Sequence, residues 1–273
     1  MRLSGIRAVT LDFGNTLVPV DRAALRSVVA RTADDVCAAL AIADPAPFLQ
    51  AWAEERDRQF REEVPRFREV DLEQRSVRVL ARLRGTVVPS ESASWDDGAA
   101  AAWSTPDEVA LIVTAYSTAF VATIPAPSRS GALIHDLAAR GFRVAILSNW
   151  PLAATIDRFA DAAGWMSALT GIFVSQRIGF IKPHPAIFAY AQAELAVEPS
   201  AILHVGDDWL ADVTGAKAAG WRAAYLLGHQ ADTPLPTSAR TADIHADLEL
   251  EALAVLGDHL HDPPRTRPVH PTA

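Results

Sequence analysis

Arg7-Ala-Val-Thr-Leu-Asp-Phe-Gly-Asn-Thr-Leu17 is a short apolar, β-type run that delivers one carboxylate, Asp12, onto a turn made by Gly14 and Asn15, with Thr16 behind it. The run over 7–12 reads as a fully buried strand, because both of its faces are apolar. A carboxylate at the C-terminal end of such a strand, followed by a loop with free backbone N–H groups, can serve as nucleophile and cation ligand together. Phe13 and Gly14 follow Asp12 directly and are expected beside whatever binds there.

Outward from this strand the pattern changes. From about residue 20 to 123, apolar residues recur at helical spacing over Ala23–Leu40, Phe48–Phe60, Leu72–Leu83 and Val109–Phe120. Pro45, Pro65, Pro89 and Pro106 punctuate them, and Asp71 and Thr105 are suited to N-caps. Alternation of helix and strand then resumes: helix Ser130–Arg140, strand Arg143–Ser148, helix Leu152–Ala163, strand Gly171–Ser175 and helix Pro183–Leu195. Strand Ala201–Gly206, helix Leu210–Ala219 and strand Arg222–Leu227 follow, then a short strand Ala242–His245 and a terminal helix Leu248–Leu256. This alternation predicts an α/β class with a parallel sheet covered on both faces, split after its first strand by a helical insert. The expected division is a core of 1–19 and 126–260, a helical cap of 20–125 and a disordered Pro-rich tail of 261–273.

The chain has 273 residues, 50% of them hydrophobic, which suffices for a sizeable core. Its net charge of −8, with no basic run, disfavours nucleic-acid and anionic-membrane partners. The arginines between Arg56 and Arg84 alternate with acids and read as a solvated helix face. Cys37, the single cysteine, excludes an intrachain disulfide and a thiolate zinc site, and its neighbours mark a buried helix position. No apolar leader opens the sequence and no run is long enough to cross a bilayer, so a cytoplasmic protein is the expectation.

Ligands of open α/β sheets sit beyond the carboxyl ends of the strands. Asp12 falls there, as do Ser148 and Asn149, Lys182 (one of two lysines), and Asp207, Asp208 and Asp212. Crowded carboxylates need a cation, and hard oxygen ligands suit Mg²⁺, which binds one or two carboxylates together with a phosphate. Lys182 and Ser148 can hold phosphoryl oxygens while Asp12 attacks phosphorus. Trp150, next to Asn149, is placed to line the pocket; Trp52, Trp95 and Trp103 fall in the insert. Asp21 and Arg22 are either substrate contacts on closure or a solvated start of the insert. His204 reads as a hydrogen-bonded core histidine, and His184 as a surface residue near the rim.

Taken in order, these segments resemble the haloacid dehalogenase superfamily of phosphohydrolases. The resemblance implies a Rossmann-like doubly wound parallel sheet with an inserted all-α cap. It implies Asp12 as nucleophile and metal ligand, the Gly14 carbonyl and Asp207 as further ligands, and Asp212 as an outer or water-mediated ligand. Thr16 and Asp208 would support the site, with Asp208 orienting Lys182 or the metal shell, and Phe13, Gly14, Asn149 and Trp150 would meet a small phosphorylated substrate. The family's first motif reads Asp-x-Asp-x-Thr, and Gly14 stands where its second acid would be. That acid protonates the leaving oxygen, so four readings follow: a phosphatase with a substitute acid or an undemanding leaving group, a dehalogenase, a phosphonatase-like enzyme, or a non-catalytic binding protein. The Gly-Asp-Asp cluster weighs against the dehalogenase, and the absence of lysine from 20–125 against the phosphonatase.

Overall fold

The computed structural model describes residues 2–87, 97–228 and 232–263. Trp95, Pro89 and the tail beyond 263 therefore lie outside the described residues. Strands β1 (Ala8–Leu11), β2 (Arg143–Ser148), β3 (Gly171–Val174), β4 (Ile202–Gly206), β5 (Arg222–Leu226) and β6 (Leu248–Leu250) form one sheet in the order β3-β2-β1-β4-β5-β6. Every pairing is parallel. β1 lies between β2 and β4, so the chain reverses its direction of travel across the sheet at Asp12, the place where open α/β sheets bind ligands.

The two-residue period of the strands divides the core. Val9, Leu11, Val144, Ile146, Leu203 and Val205 face one layer, built from α6 (Ser128–Ala139) and α7 (Ala153–Ala162). Ala8, Ala145, Leu147, Ile202 and Ala223 face the other, where α9 (Pro185–Leu195) supplies Ile187, Phe188 and Ala191. With both faces covered, the central strands β1 and β4 are buried throughout, which is why these segments read as continuous apolar runs.

Helices α1 (Arg22–Ala39), α2 (Ala46–Glu62), α3 (Leu72–Leu83), α4 (Asp97–Ala101) and α5 (Pro106–Thr123) lie between β1 and β2, and a single-turn α8 (Ser175–Ile178) follows β3. Asp21 caps α1, Asp71 caps α3, and Thr105 with Glu108 closes a reciprocal capping box on α5. Phe48, Trp52 and Tyr116 stack in succession between α2 and α5. The solvated-face reading of the arginines is corrected here: Arg58, Arg75 and Arg78 are buried together with Glu55 and Gln59. Arg75 donates to Gln59 at 2.9 Å and lies over the Trp52 ring, while Arg82 pairs with Glu55 at 3.1 Å. Arg58 pairs along its own helix with Glu55 and Glu62, and Arg78 pairs with Asp97 at the start of α4, so these buried charges are met by partners rather than by water.

Two further expectations fail near the C-terminus. Residues 242–245 form no strand; the last strand is Leu248–Leu250, and a 3₁₀ helix over Leu253–His259 replaces the expected α-helix. Asp247 fixes this register by accepting from Ala223 N, Lys217 and Arg222. Cys37 is buried, as expected. Among the described residues no single helix is long and apolar enough to cross a membrane.

Candidate functional site

The site assembles from three loops at the carboxyl edge of the sheet. Asp12 leaves β1 with its N–H bonded to Val205 O at 2.9 Å, so the backbone of β4 fixes the stem of the carboxylate. Asn149, just past β2, clamps the Lys182 loop from both sides: its amide nitrogen donates to Lys182 O at 3.0 Å and its amide oxygen accepts from Lys182 N at 2.7 Å. The clamp delivers the ammonium to Asp12 Oδ1 (2.8 Å), Asp212 Oδ1 (2.6 Å) and Leu147 O (2.9 Å). All three ammonium hydrogens are thereby engaged.

Asp207 and Asp208 follow β4, and the next helical stretch begins as a wide π turn over Trp209–Thr214 that runs into α10 (Gly215–Ala218). Wide turns of this kind re-aim a side chain, here that of Asp212. Asp212 Oδ2 accepts from Asp208 N at 2.9 Å, and Oδ1 lies 3.0 Å from His204 Nε2. The other ring nitrogen of His204 lies 2.8 Å from Thr10 Oγ1. His204 is thus a hydrogen-bonded core histidine that steadies Asp212. Gly206 is required by the same packing, since a Cβ there would stand 2.0 Å from Asp212 Oδ2. Thr16 donates to Asp207 Oδ1 at 3.2 Å.

Asp12, Asp207 and Asp212 each present a carboxylate oxygen within 4.8 Å of the others. Burial, together with the charges of Asp12 and Asp212, pushes the Asp207 carboxyl up to about 8. Burial likewise raises Asp12, against the pull of Lys182. For Asp212 the ammonium and His204 overcome burial and hold the carboxyl below its usual range. Burial would lower Lys182, but Asp12 and Asp212 keep it above the ordinary lysine value. His204 is lowered by burial and by Lys182. One ammonium against three carboxylates leaves negative charge uncompensated, and a hard divalent cation fits this donor set.

A cavity of about 240 Å³ opens onto these groups. Asp12, Gly14, Asn149, Trp150, Lys182, Asp207, Asp208 and Asp212 all line it. Ser148 ends β2, buried, and the cavity wall begins with the next residue, Asn149. Phe13 departs from expectation: its ring packs edge-on against Trp150 and Phe159 in the core and is absent from the wall. Asp208 does not orient Lys182; its carboxylate accepts from Ala211 N at 2.6 Å and Ser238 Oγ at 2.9 Å, capping the turn that carries Asp212. Asp21 and Arg22 stay off the wall: Asp21 caps α1, and Arg22 pairs with Asp232 and donates to Thr233 O. His184 stacks on Phe180 and caps α9.

Besides neighbours of assigned residues such as Ile181, Pro183 and Leu210, the sequence reading missed two sets of wall residues. Val64 and Phe67 come from the helical insert, and Leu235, Pro236, Thr237 and Ser238 from the loop after β5. That loop leaves the carboxyl end of a predicted strand, and this position was its one legible signal.

Residues 6–220 match the family of haloacid dehalogenase-like hydrolases. Among curated relatives, human haloacid dehalogenase-like hydrolase domain-containing protein 3 is 29% identical over 102 residues, covering 37% of this chain and 40% of that protein. Glyceraldehyde 3-phosphate phosphatase of Methanothermobacter thermautotrophicus is 28% identical over 114 residues, 41% of this chain and 49% of that protein. The chain thus matches less than half the length of these relatives. In fold it is similar to a 2-haloacid dehalogenase from Pseudomonas syringae pv. Tomato DC3000 (TM-score 0.64, 23% identity, 93% of this chain and 97% of that one). A HAD phosphatase from Thermococcus onnurineus is also similar (TM-score 0.55, 18% identity, 93% and 97%). With the match spanning most of its length and the aspartates gathered at the sheet edge, the chain belongs to the haloacid dehalogenase-like hydrolases.

Proposed function

We propose that this hydrolase is a Mg²⁺-dependent phosphatase that acts on a small phosphorylated metabolite through an aspartyl-phosphate on Asp12. The observation that carries this reading is the buried group of Asp12, Asp207 and Asp212 around a single ammonium, Lys182. A haloacid, itself a carboxylate, would meet uncompensated negative charge here. A phosphate accompanied by a divalent cation would not.

In this reading Asp12, Asp207 and Asp212, with the Gly14 carbonyl, hold Mg²⁺. The cation, when bound, offsets repulsion between the anionic nucleophile and the anionic substrate. Lys182 fixes the attacking carboxylate by its 2.8 Å bond to Asp12 Oδ1, its other two hydrogens being taken by Asp212 and Leu147 O. Asn149 keeps the lysine in place, and Trp150 walls the substrate side. The inserted helices act as a cap that brings Val64 and Phe67 to the substrate. Segment 67–72 docks on the rim: Ile181 N donates to Phe67 O at 3.0 Å and Leu72 N to Pro151 O at 2.9 Å.

The test is phosphate release from a panel of phosphorylated metabolites with and without Mg²⁺, beside Asp12→Asn. Release that needs both Mg²⁺ and Asp12 supports the reading. Equal release by Asp12→Asn overturns it, and binding of phosphorylated ligands without turnover favours a non-catalytic binding protein.

A further inference from the structure

Transfer of a phosphoryl group to Asp12 requires either an acid for the departing oxygen or an oxygen that departs readily as an anion. The described wall offers no free acid. Its carboxyl groups are the nucleophile, the two assigned cation ligands and Asp208, which is engaged as a cap, and no histidine, cysteine or tyrosine lines it. The hydrogens of Lys182 are taken by Asp12, Asp212 and Leu147 O. The space at Gly14 is filled as well: a Cβ there would stand 2.5 Å from Leu235 Cδ1 and 3.3 Å from Trp150. The loop that carries Leu235 is tied down at Thr233, which accepts from Asn15 Nδ2 at 2.9 Å, and by the bonds from Arg22. Phe67, Val64, Ile181 and Pro236 extend the apolar surface from Leu235 around the cavity.

Resting on the phosphatase reading above, we propose that the substrate carries its phosphate on a weakly basic oxygen of an apolar body, an aryl or acyl phosphate, and that Leu235 sets this choice. In the first step an Asp12 oxygen bonds to phosphorus. The bond from phosphorus to the leaving oxygen breaks, and its electron pair departs with a phenolate or carboxylate, with no proton transferred. In the second step water attacks phosphorus and the bond from phosphorus to the Asp12 oxygen breaks. The electron pair returns to the Asp12 carboxylate, and both water protons leave on dihydrogen phosphate.

The experiment compares kcat/KM with Mg²⁺ for substituted phenyl phosphates, benzoyl phosphate, acetyl phosphate and glycerol 3-phosphate. The alkyl ester is expected to react at least about 10²-fold more slowly than benzoyl or 4-nitrophenyl phosphate, the lower bound of what a general acid contributes. The phenyl series should slow steadily as the phenol becomes more basic. The ratio of benzoyl to phenyl phosphates separates an acyl from an aryl source. Leu235→Ala should raise KM for phenyl phosphates more than for acetyl phosphate. The double variant Gly14→Asp/Leu235→Ala, with room for the carboxylate, should gain activity on glycerol 3-phosphate. Equal rates on alkyl and aryl esters, or a Leu235→Ala variant with unchanged KM for phenyl phosphates, would overturn the inference and leave the phosphatase reading standing. Silence on every substrate would overturn both.

Discussion

Lys182 Nζ donates to Asp12 Oδ1 at 2.8 Å with both residues buried, so the nucleophile of the proposed reaction is held by a cation that solvent barely reaches. The same ammonium holds Asp212 at 2.6 Å. Removing one partner of a buried pair costs about 3–5 kcal/mol, because the remaining charge is left uncompensated. Lys182→Met is therefore expected to lower the unfolding free energy by about that amount in metal-free urea titrations. A loss below about 1 kcal/mol, the range of exposed pairs, would show that the contact is not formed.

Gly206 is a second point where position decides chemistry. In Gly206→Ala the new methyl would meet the Asp212 carboxylate at 2.0 Å, so that carboxylate must move away from Lys182 and His204. Overpacking costs about 1–3 kcal/mol, and misplacement of about 1 Å costs up to about 10²-fold in rate. The variant should lose at least about 10-fold in kcat/KM. It should also need more Mg²⁺ for half-maximal activity. Unchanged magnesium dependence would contradict the role given to Asp212.

Asp207 makes the metal-free protein sensitive to pH. Its carboxyl is raised to about 8 in the fold, chiefly by burial, against an unfolded value of about 4. Between those values the folded state binds a proton that the unfolded chain has released, so this contribution to stability is lost as pH rises through the window. Thermal melts of metal-free protein should fall from pH 6 to pH 8.5, and both Mg²⁺ and Asp207→Asn should flatten the slope. A slope untouched by either would place its origin elsewhere.

Glu69 joins the helical insert to the core. Its Oε1 accepts from Val70 N at 2.8 Å and its other oxygen accepts from Ser175 Oγ, which in turn accepts from Trp150 N at 2.9 Å. Burial raises its carboxyl above the ordinary value. The sign is that of Asp207: stability is lost as pH climbs above the unfolded glutamate value. Glu69→Gln, neutral throughout, should show a smaller decline of urea midpoint with pH than the parent. An identical decline would mean that Glu69 does not titrate in that window.

The central strands and their terminal groups were legible in the sequence because a strand buried on both faces must be an apolar run, and the polar residue that ends it stands out. Asp12, Asn149 and the Gly206–Asp212 segment were found in this way. Charge alternation misled over Arg58, Arg75 and Arg78, since a pattern that suits a solvated face also suits packed helices whose charges find partners inside the bundle, here Glu55 and Glu62, Gln59, and Asp97. The last strand was too short for its period to show, and its register rests on Asp247, a contact across the fold. Leu235 was invisible for a related reason. Its loop has no period, and only the crossing from β5 to β6 brings it to Gly14. Phe13 sits beside the nucleophile in sequence, yet its neighbours Trp150 and Phe159 claim the ring for the core.

The most direct measurement is the site of covalent labelling during turnover. The enzyme is mixed with radiolabelled 4-nitrophenyl phosphate and Mg²⁺, quenched in acid within the first turnover and digested. The account predicts a hydroxylamine-labile phosphoryl group on the peptide that contains Asp12. Turnover with the label on another residue, or with no covalent label at any quench time, would contradict it.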